Sequence, residues 1–194
     1  MLDLLNSFDT KLFLALNQTN SPFFDQIMLN VSYNKILMFG IIMSCFILGI
    51  YYFKQKFFIA FLFCILSFGV SDLVSTRIFK NGFKRLRPCH NPLLSQKVYL
   101  AGQNCWGGKY GFVSSHAANT FTVAMFFWLL FRRKNRFIFS LFFYATLVSY
   151  SRVYLARHYP GDILVGALLG LSIGYIGFKA YIKIKNHFSK FIYI

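Results

Sequence analysis

The sequence predicts an all-α fold: a polytopic membrane helical bundle of about five transmembrane helices, with an N-terminal interfacial helical segment. Composition is the first observation behind this prediction. Of the 194 residues, 57% are hydrophobic and 13% are charged, whereas about a quarter of the residues in a soluble domain are charged. The second observation is that the apolar residues lie in runs of about 18 or more, enough to span most of a ~30 Å hydrocarbon layer. One membrane domain covering residues 1–194 fits this length.

The segment 1–34 is the first predicted element. It carries Asp3 and Asp9 and has no basic stretch ahead of its apolar residues, unlike a secretory signal peptide. We therefore expect the chain to keep it as an interfacial helical segment. Its apolar side chains lie roughly on one helical face: Leu4, Leu5, Phe8, Leu12 and Leu16.

Apolar runs follow this segment, and each is predicted to cross the membrane. They cover residues 36–53, about 57–79, 114–131, 137–154 and 163–181. The last run carries Gly166, Gly170 and Gly174 at four-residue spacing. Small residues on one face let a neighbouring helix approach closely in lipid, so this face is predicted to pack rather than to do chemistry.

Basic residues predict the orientation of the runs. The positive-inside rule assigns to the cytoplasm the short connections after the first and third runs and the end of the fifth. These carry Lys54, Lys56, Arg132, Arg133, Lys134, Arg136, Lys179, Lys183, Lys185 and Lys190. Residues 182–194 then form a cytoplasmic tail, and the loops 80–113 and about 155–162 lie on the outer face.

The loop 80–113 adds cations and two cysteines on the outer face. A net charge of +16 could indicate nucleic-acid binding, but the cations here lie between apolar runs. We therefore expect a membrane bilayer and an anionic ligand as partners, and no nucleic acid. Cys89 and Cys105 could form a disulfide if the outer face is oxidising, or could remain two free thiols.

Three polar stretches lie where the runs reach the outer face. They are KNGFKRLRP (80–88), VSSH (113–116) and SRVYLARHYPGD (151–162). Singly, each has an ordinary explanation, because Lys and Arg snorkel at helix ends and Ser often caps a helix. The predicted topology brings all three to one face, where together they suit a phosphate group.

Cations and a helix start would hold that phosphate. Lys80, Arg87 and Arg152 could surround about two negative charges, with each arginine offering paired hydrogen bonds. Ser114 and Ser115 open a helix, where free backbone N–H groups and the helix dipole favour an anion.

Two histidines and one aspartate could carry the chemistry. Phosphoryl transfer needs an attacking group on one side of phosphorus and a proton for the leaving oxygen on the other. His116 and His158 could supply these. Asp162 lies four residues after His158, close enough to accept a hydrogen bond from one ring nitrogen and orient the other.

The order and spacing of these residues resemble the three-part signature of the type 2 phosphatidic-acid phosphatases. These are integral-membrane lipid phosphatases whose helical core is shared with vanadium haloperoxidases. The resemblance is carried by Lys80-x6-Arg87-Pro88, Ser114-Ser115-His116 and Ser151-Arg152-x5-His158-x3-Asp162. Three motifs with fixed residue spacing rarely occur in this order by chance, so the resemblance to the family is specific. The chain departs from the family in the middle motif, where Val113 and Ser115 replace the usual Pro and Gly.

The resemblance implies a role for each residue. His158 would attack phosphorus and become a phosphohistidine, Asp162 would hold its ring, and His116 would protonate the leaving oxygen. The backbone amides at Ser115 and His116 would bind phosphate oxygens, together with the side chains of Lys80, Arg87, Ser114, Ser115 and Arg152. The family requires no metal and no cofactor, and the sequence contains no Cys/His or multi-carboxylate ligand set.

We therefore expect a metal-independent lipid phosphatase in a bacterial inner membrane, with its active site facing the periplasmic or extracellular side. The candidate substrates are undecaprenyl diphosphate, phosphatidylglycerol phosphate, phosphatidic acid and lipid A phosphates, and the sequence does not choose among them. A lipid phosphotransferase is the closest alternative. A non-catalytic protein that binds anionic lipids is a second alternative, but it would not need His116 and His158. The oligomeric state stays open.

Asp72 is an ionisable residue inside the second run. Such residues usually mark functional sites. We favour a structural role here, in which Asp72 neutralises nearby Arg77 or Lys80.

Overall fold

The computed structural model of the chain describes residues 2–105 and 107–191. Within these ranges the regular structure is helical and no β-strand forms, although Leu86 and Tyr110 make an isolated antiparallel bridge. The α-helices are α1 Leu2–Asn17, α2 Pro22–Tyr33, α3 Lys35–Phe53, α4 Phe57–Leu73, α5 Lys80–Phe83, α6 Ser115–Phe131, α7 Ser140–Tyr154 and α8 Pro160–Phe191. The all-helical prediction is confirmed for the described residues.

Within the predicted segment 1–34, the described residues form two helices, α1 and α2. Ser21 accepts a hydrogen bond from the Phe24 N–H and precedes a proline in the first turn of α2, which is a strong helix start. The side chain of Asn34 then caps α3 directly after α2 ends. This local chemistry explains the break.

Helix α1 presents an apolar face that the other described residues leave uncovered. Leu4, Leu5, Phe8 and Leu12 are exposed, as an interfacial helix requires, although the position of α1 in a membrane stays a prediction. Its opposite face carries the fully buried Phe13 and Asn17.

Three helical segments of the described chain are long and apolar enough to cross a membrane: Lys35–Phe83, Arg136–Tyr154 and Pro160–His187. The first contains both α3 and α4, which a short 3-10 turn at Lys54–Lys56 joins. Helix α6 is apolar but shorter. The structure thus has membrane-spanning helices, whereas the count of five stays a prediction.

Helix α8 begins and ends outside its predicted bounds. It starts at Pro160, three residues before the predicted 163, because proline suits the first turn of a helix. It continues to Phe191, with 32 residues in all, or about 48 Å at ~1.5 Å per residue. The predicted tail 182–194 is therefore helical as far as 191, and residues 192–194 lie outside the described residues.

Helices α6 and α8 pack together along the glycine face. A methyl group placed on Gly166, Gly170 or Gly174 would lie 2.7, 2.2 or 2.5 Å from the carbonyl oxygens of Ser114, Ala118 and Thr122 respectively. These distances are too short for a Cβ atom, so the glycines allow backbone contact between the two helices.

One end of the bundle is filled with aromatic rings, and we call it the aromatic end. Its core comprises Phe57, Phe126, Phe127, Phe131 and Tyr181, all of them buried. Phe131 lies 5.3 Å from Phe53 and 5.9 Å from Phe127, measured between ring centroids. At the opposite end, which we call the polar end, residues 80–116 and 151–162 meet α1 and α2.

Candidate active site

The first and middle polar stretches meet through a lysine and a serine. A π-helical turn, Val74–Phe79, continues α4 into α5, which begins at Lys80. Single π-turns inside α-helices occur frequently at functional sites. The Nζ atom of Lys80 donates a hydrogen bond of 2.7 Å to Oγ of Ser115. Two of the predicted phosphate ligands are therefore adjacent.

The loop that carries Arg87 is fixed at several points. The backbone N–H of Arg87 donates to the Lys109 carbonyl at 3.1 Å, and its Nε donates to the Tyr110 carbonyl at 3.3 Å. A disulfide joins Cys89 to Cys105. The Cys89 N–H also donates to the Ala156 carbonyl at 3.3 Å, which ties this loop to the turn between α7 and α8.

The start of α6 combines a buried cap with an exposed histidine. Ser114 is fully buried, and its hydroxyl accepts a hydrogen bond from the Ala117 N–H, as an N-cap does. Its backbone N–H donates to the Asp162 carbonyl at 3.0 Å. His116, the second residue of α6, is exposed. Phosphate binding by the Ser114 side chain stays a prediction, while its capping role is observed.

The third stretch forms a tight turn between α7 and α8. The backbone N–H groups of Arg157 and His158 both donate to the Arg152 carbonyl, at 2.8 and 3.2 Å. The side chains of Arg152, Arg157, His158 and Asp162 are all buried. Charged groups are rarely this buried unless they are paired or bind a ligand. The buried charges of this turn therefore indicate ion pairs or a ligand site.

His158 and Asp162 face one another across the first turn of α8. Nδ1 of His158 lies 3.5 Å from Oδ2 of Asp162, longer than an ordinary hydrogen bond. The same carboxylate oxygen accepts a hydrogen bond of 3.0 Å from the Tyr159 N–H. Apo active sites often hold such pairs at long distances that tighten when substrate binds.

Gly111 marks the point where the loop reaches this pair. A methyl group placed on it would lie 3.1 Å from Oδ2 of Asp162, 3.2 Å from Cγ of Arg87 and 3.5 Å from Nδ1 of His158. The first and third stretches therefore converge on one spot, and Lys80 joins the middle stretch to them.

Burial and neighbouring cations shift the pKa values of the charged side chains in the site. Burial, reinforced by the nearby charges of Arg152 and Arg157, lowers the pKa of Arg87 to about 10. Burial also lowers the pKa of His158 to about 4, although Asp162 acts in the opposite direction. His158 is therefore neutral near pH 7, with a ring nitrogen lone pair available.

Helix α2 contributes two side chains that sequence reasoning missed. The guanidinium of Arg152 donates a hydrogen bond from its NH1 group to Oγ of Ser32 and lies 5.3 Å from the centroid of the Tyr33 ring. No local motif marks Ser32 or Tyr33, because their role depends on how α2 packs against α7. Arg157, to which the sequence assigned no role, donates to the Asn104 carbonyl at 3.0 Å.

Asp9 and Arg85 are the other residues that were missed. Arg85 forms ion pairs of 2.7 Å with Asp9 and 2.8 Å with Asp162. A signal was available, because the chain has only five acidic residues and Arg85 lies inside the first motif.

Asp72 has a structural contact of another kind: its side chain accepts a hydrogen bond of 2.9 Å from Asn119 on α6.

Among the described residues, Cys89, His90 and Cys105 are the one group of side chains close enough together to hold a metal ion. Both cysteines are joined in the disulfide, and a disulfide offers no thiolate to a metal. The polar end offers no further cluster of this kind within the same ranges.

A family model and two relatives match the sequence. The model of the PAP2 superfamily matches residues 57–185. The lipid A 4'-phosphatase of Bacteroides thetaiotaomicron is 33% identical over 173 residues, which cover 88% of this chain and 75% of that protein. The lipid A 4'-phosphatase of Porphyromonas gingivalis is 34% identical over 122 residues, which cover 63% of this chain but only 51% of that protein.

Two solved structures share the fold. A transmembrane PAP2-type phosphatidylglycerolphosphate phosphatase from Bacillus subtilis aligns over 93% of this chain and 88% of its own, with a TM-score of 0.71 and 22% identity. Aquifex aeolicus LpxE aligns over 88% of this chain and 94% of its own, with a TM-score of 0.62 and 27% identity.

Proposed function

The chain belongs to the PAP2 superfamily, and on this premise we propose that it is a bacterial integral-membrane lipid phosphatase that works through a phosphohistidine. One observation carries the proposal: the buried His158–Asp162 pair lies within reach of Arg87 at the end of membrane-spanning helices. This arrangement combines a nucleophile, an orienting carboxylate and a cation for phosphate.

In the proposed first step, Nε2 of His158 attacks phosphorus and the bond between phosphorus and the lipid oxygen breaks. The neutral ring supplies the electron pair. The Nδ1–H of His158 then donates to Asp162, which stabilises the positive charge that forms on the ring. The product of this step is a phosphohistidine and a free lipid alcohol or lipid monophosphate.

We assign the leaving-group proton to His116, which is exposed at the start of α6. It would protonate the leaving oxygen and then accept a proton from the water that attacks the phosphohistidine. Inorganic phosphate leaves, and both histidines return to their starting states. The proposed reaction uses no metal and no cofactor.

The cations of the site would hold the phosphoryl oxygens. Arg87 and Arg152 offer paired N–H donors, and Lys80 adds a third charge beside Ser115. In the structure Arg152 is oriented by Ser32 and Tyr33, which prepares its guanidinium for an anion. The backbone N–H groups at Ser115 and His116, at the start of α6, would complete the set.

The proposed substrate is a phosphorylated membrane lipid. An apolar crevice between α3, α4, α6 and α7 begins at Asn119 and Thr120, and its lining includes Val123. Thr120 lies one helical turn after His116, and its hydroxyl donates to the His116 carbonyl at 2.8 Å, so the crevice begins one turn from the proposed proton donor. The names of the two relatives favour a lipid A phosphate over the other candidates, namely undecaprenyl diphosphate, phosphatidylglycerol phosphate and phosphatidic acid.

We propose that the chain forms one domain embedded in a bacterial inner membrane. Its active site would face the periplasmic or extracellular side. The cytoplasmic assignment of its basic connections supports this orientation. The Cys89–Cys105 disulfide at the same end as His158 also supports it, because disulfides persist in oxidising compartments.

Phosphate release from a lipid panel tests the function. Purified protein with EDTA receives lipid A, undecaprenyl diphosphate, phosphatidylglycerol phosphate or phosphatidic acid. We expect release in the presence of chelator, strongest with lipid A, and a fall of about 10³-fold or more in His158→Ala. His187→Ala, an exposed histidine at the other end of α8, is the matched control and should keep full activity.

The other outcomes separate the alternatives. Full activity in His158→Ala would remove the nucleophile assignment, and loss of activity with EDTA would remove the metal-free reaction. Phosphate recovered on an added acceptor alcohol instead of as free phosphate would indicate a phosphotransferase. Lipid binding without any release would indicate a non-catalytic protein.

A further inference from the structure

A carboxylate from the N-terminal helix reaches the back of the His158–Asp162 pair. We propose that Asp9 is a positioning residue which, acting through Arg85, fixes Asp162 and keeps a net negative charge behind His158. This inference rests on the proposed function, because it assumes that His158 becomes positively charged during the reaction. It also assigns a role to α1, which lies outside the residues that match the family model.

The contacts form a continuous chain. Oδ2 of Asp9 accepts a hydrogen bond of 2.7 Å from NH2 of Arg85, and NH1 of Arg85 donates at 2.8 Å to Oδ1 of Asp162. The other oxygen of Asp162 faces His158 and the Tyr159 N–H. Both oxygens of Asp162 are therefore occupied, and its plane is set by Arg85 on one side and by the turn of α8 on the other.

Asp9 also holds the beginning of α8. Its Oδ1 accepts a hydrogen bond of 2.8 Å from the Gly161 N–H, one of the free donors in the first turn of that helix. A methyl group on Gly161 would lie only 2.8 Å from Oδ2 of Asp9. The chain therefore places its smallest residue where the carboxylate must approach, directly before Asp162.

A cation–π contact and an aromatic pair join the same elements. The guanidinium carbon of Arg85 lies 4.0 Å from the centroid of the Tyr159 ring. Phe13, one helical turn after Asp9, packs edge-on against that ring at 5.4 Å. Helix α1 thus packs against Tyr159, the residue that follows His158, through the same face that carries Asp9.

Charge balance explains why a second carboxylate is needed. Arg85 alone would neutralise Asp162, and the ring of His158 would then have no net negative charge to stabilise its charged form. Asp9, Asp162 and Arg85 together carry one net negative charge, which opposes the charges of the nearby Arg87 and Arg152 at His158, and water screens Asp162 little because it is fully buried. Asp9→Asn removes this charge while keeping a hydrogen-bonding group of the same size.

The test compares Asp9→Asn with Asp25→Asn in the intact purified protein. Asp25 is the matched control, because it also ties the N-terminal helices to the bundle, through the hydroxyls of Tyr99 and Tyr154, and has no contact with Asp162. We expect Asp9→Asn to lower kcat about tenfold with KM nearly unchanged. Asp25→Asn should keep kcat even if its thermal midpoint falls as much. Equal kcat losses in the two variants would overturn the proposal.

A double-mutant cycle separates positioning from general stability. If Asp9 acts through Asp162, then adding Asp9→Asn to Asp162→Asn should lower kcat by less than about twofold. Asp9→Glu, which keeps the charge, should restore part of the activity lost in Asp9→Asn. A full tenfold loss in the Asp162→Asn background, or no recovery with Glu, would contradict the mechanism.

Failure of this inference differs from failure of the proposed function. If His158→Ala stays active, the phosphohistidine reaction itself is wrong. If His158→Ala is inactive and Asp9→Asn matches the unmutated protein in kcat, the reaction stands and Asp9 has no part in it.

Discussion

At the aromatic end of the bundle, buried rings pack against rings, whereas at the polar end the buried side chains carry charge. Phe57, Phe126 and Phe131 are fully buried among apolar neighbours. Arg152, His158 and Asp162 are also buried. Their neighbours are charged, however, because Arg87 lies close to the cations of Arg152 and Arg157. We therefore expect the aromatic end to contribute mainly to stability, through ring packing, and the polar end mainly to function, because crowded cations favour an anion.

Helices α6 and α8 connect the two ends. Each contributes a residue to the proposed chemistry in its first turn, His116 and Asp162, and a ring to the aromatic end, Phe131 and Tyr181. The glycines between these turns let the helices touch along their length. The two helices that position the charged residues are therefore the same two that pack in the aromatic end.

The largest effect on stability should come from Phe131→Ala. Because the ring leaves a cavity that its neighbours fill only partly, we expect a loss of about 3 kcal/mol, at the low end for such changes because lipid is itself apolar. Phosphate release per folded molecule should stay the same. Denaturant titration in detergent and an activity assay measure both, with the exposed Phe143→Ala as control. A loss of activity per folded molecule would break the separation of the two ends.

Local features made much of the polar end predictable. Motif spacing placed Lys80, Arg87, His116, His158 and Asp162 correctly at one end of the bundle, because each lies in or beside a helix terminus. Their roles in catalysis stay predictions.

Contacts from distant helices were not predictable. Asp9 and Arg85 are 76 positions apart, and Ser32 and Arg152 are 120 positions apart. No helical period or motif encodes such pairs, because they form only when α1 and α2 pack against the bundle. The break within 1–34 is different, because Ser21 and Pro22 are a helix start that can be recognised from the sequence.

At the polar end, Arg87→Met should have the opposite profile to Phe131→Ala. We expect kcat/KM to fall about 10²-fold, because charged hydrogen bonds to the phosphoryl group are lost. The thermal midpoint should stay the same or rise, since one of several crowded cations is removed. Kinetics and thermal unfolding of one preparation measure both. Lys97→Met, an exposed cation of the same loop, is the control, and a clear fall in midpoint would show that Arg87 mainly stabilises the fold.

An anion should relieve the crowding of the cations without any mutation. Orthovanadate at about ten times its Kd should stabilise the protein by about 1.4 kcal/mol. The shift should vanish in Arg87→Met and persist in Phe131→Ala, because only the polar end binds the anion. Thermal unfolding with sodium chloride at matched ionic strength is the control. An equal shift in Arg87→Met would place the anion elsewhere.

The smallest change that separates the two ends is Gly111→Ala. Its new methyl group would lie 3.1 Å from Oδ2 of Asp162 and 3.2 Å from Cγ of Arg87, so these two groups must move by a few tenths of an ångström, whereas its 3.5 Å distance to Nδ1 of His158 is an ordinary contact. Because catalysis depends on such distances more steeply than folding does, kcat should fall several-fold, up to about tenfold, while stability changes by less than about 1 kcal/mol. Gly108→Ala, in the same loop and with no atom of a described residue within 4 Å of the new methyl group, should leave kcat unchanged. Equal kcat values in both variants would mean that the site adapts to the shift, and that the geometry at the polar end is less exacting than the packing at the aromatic end.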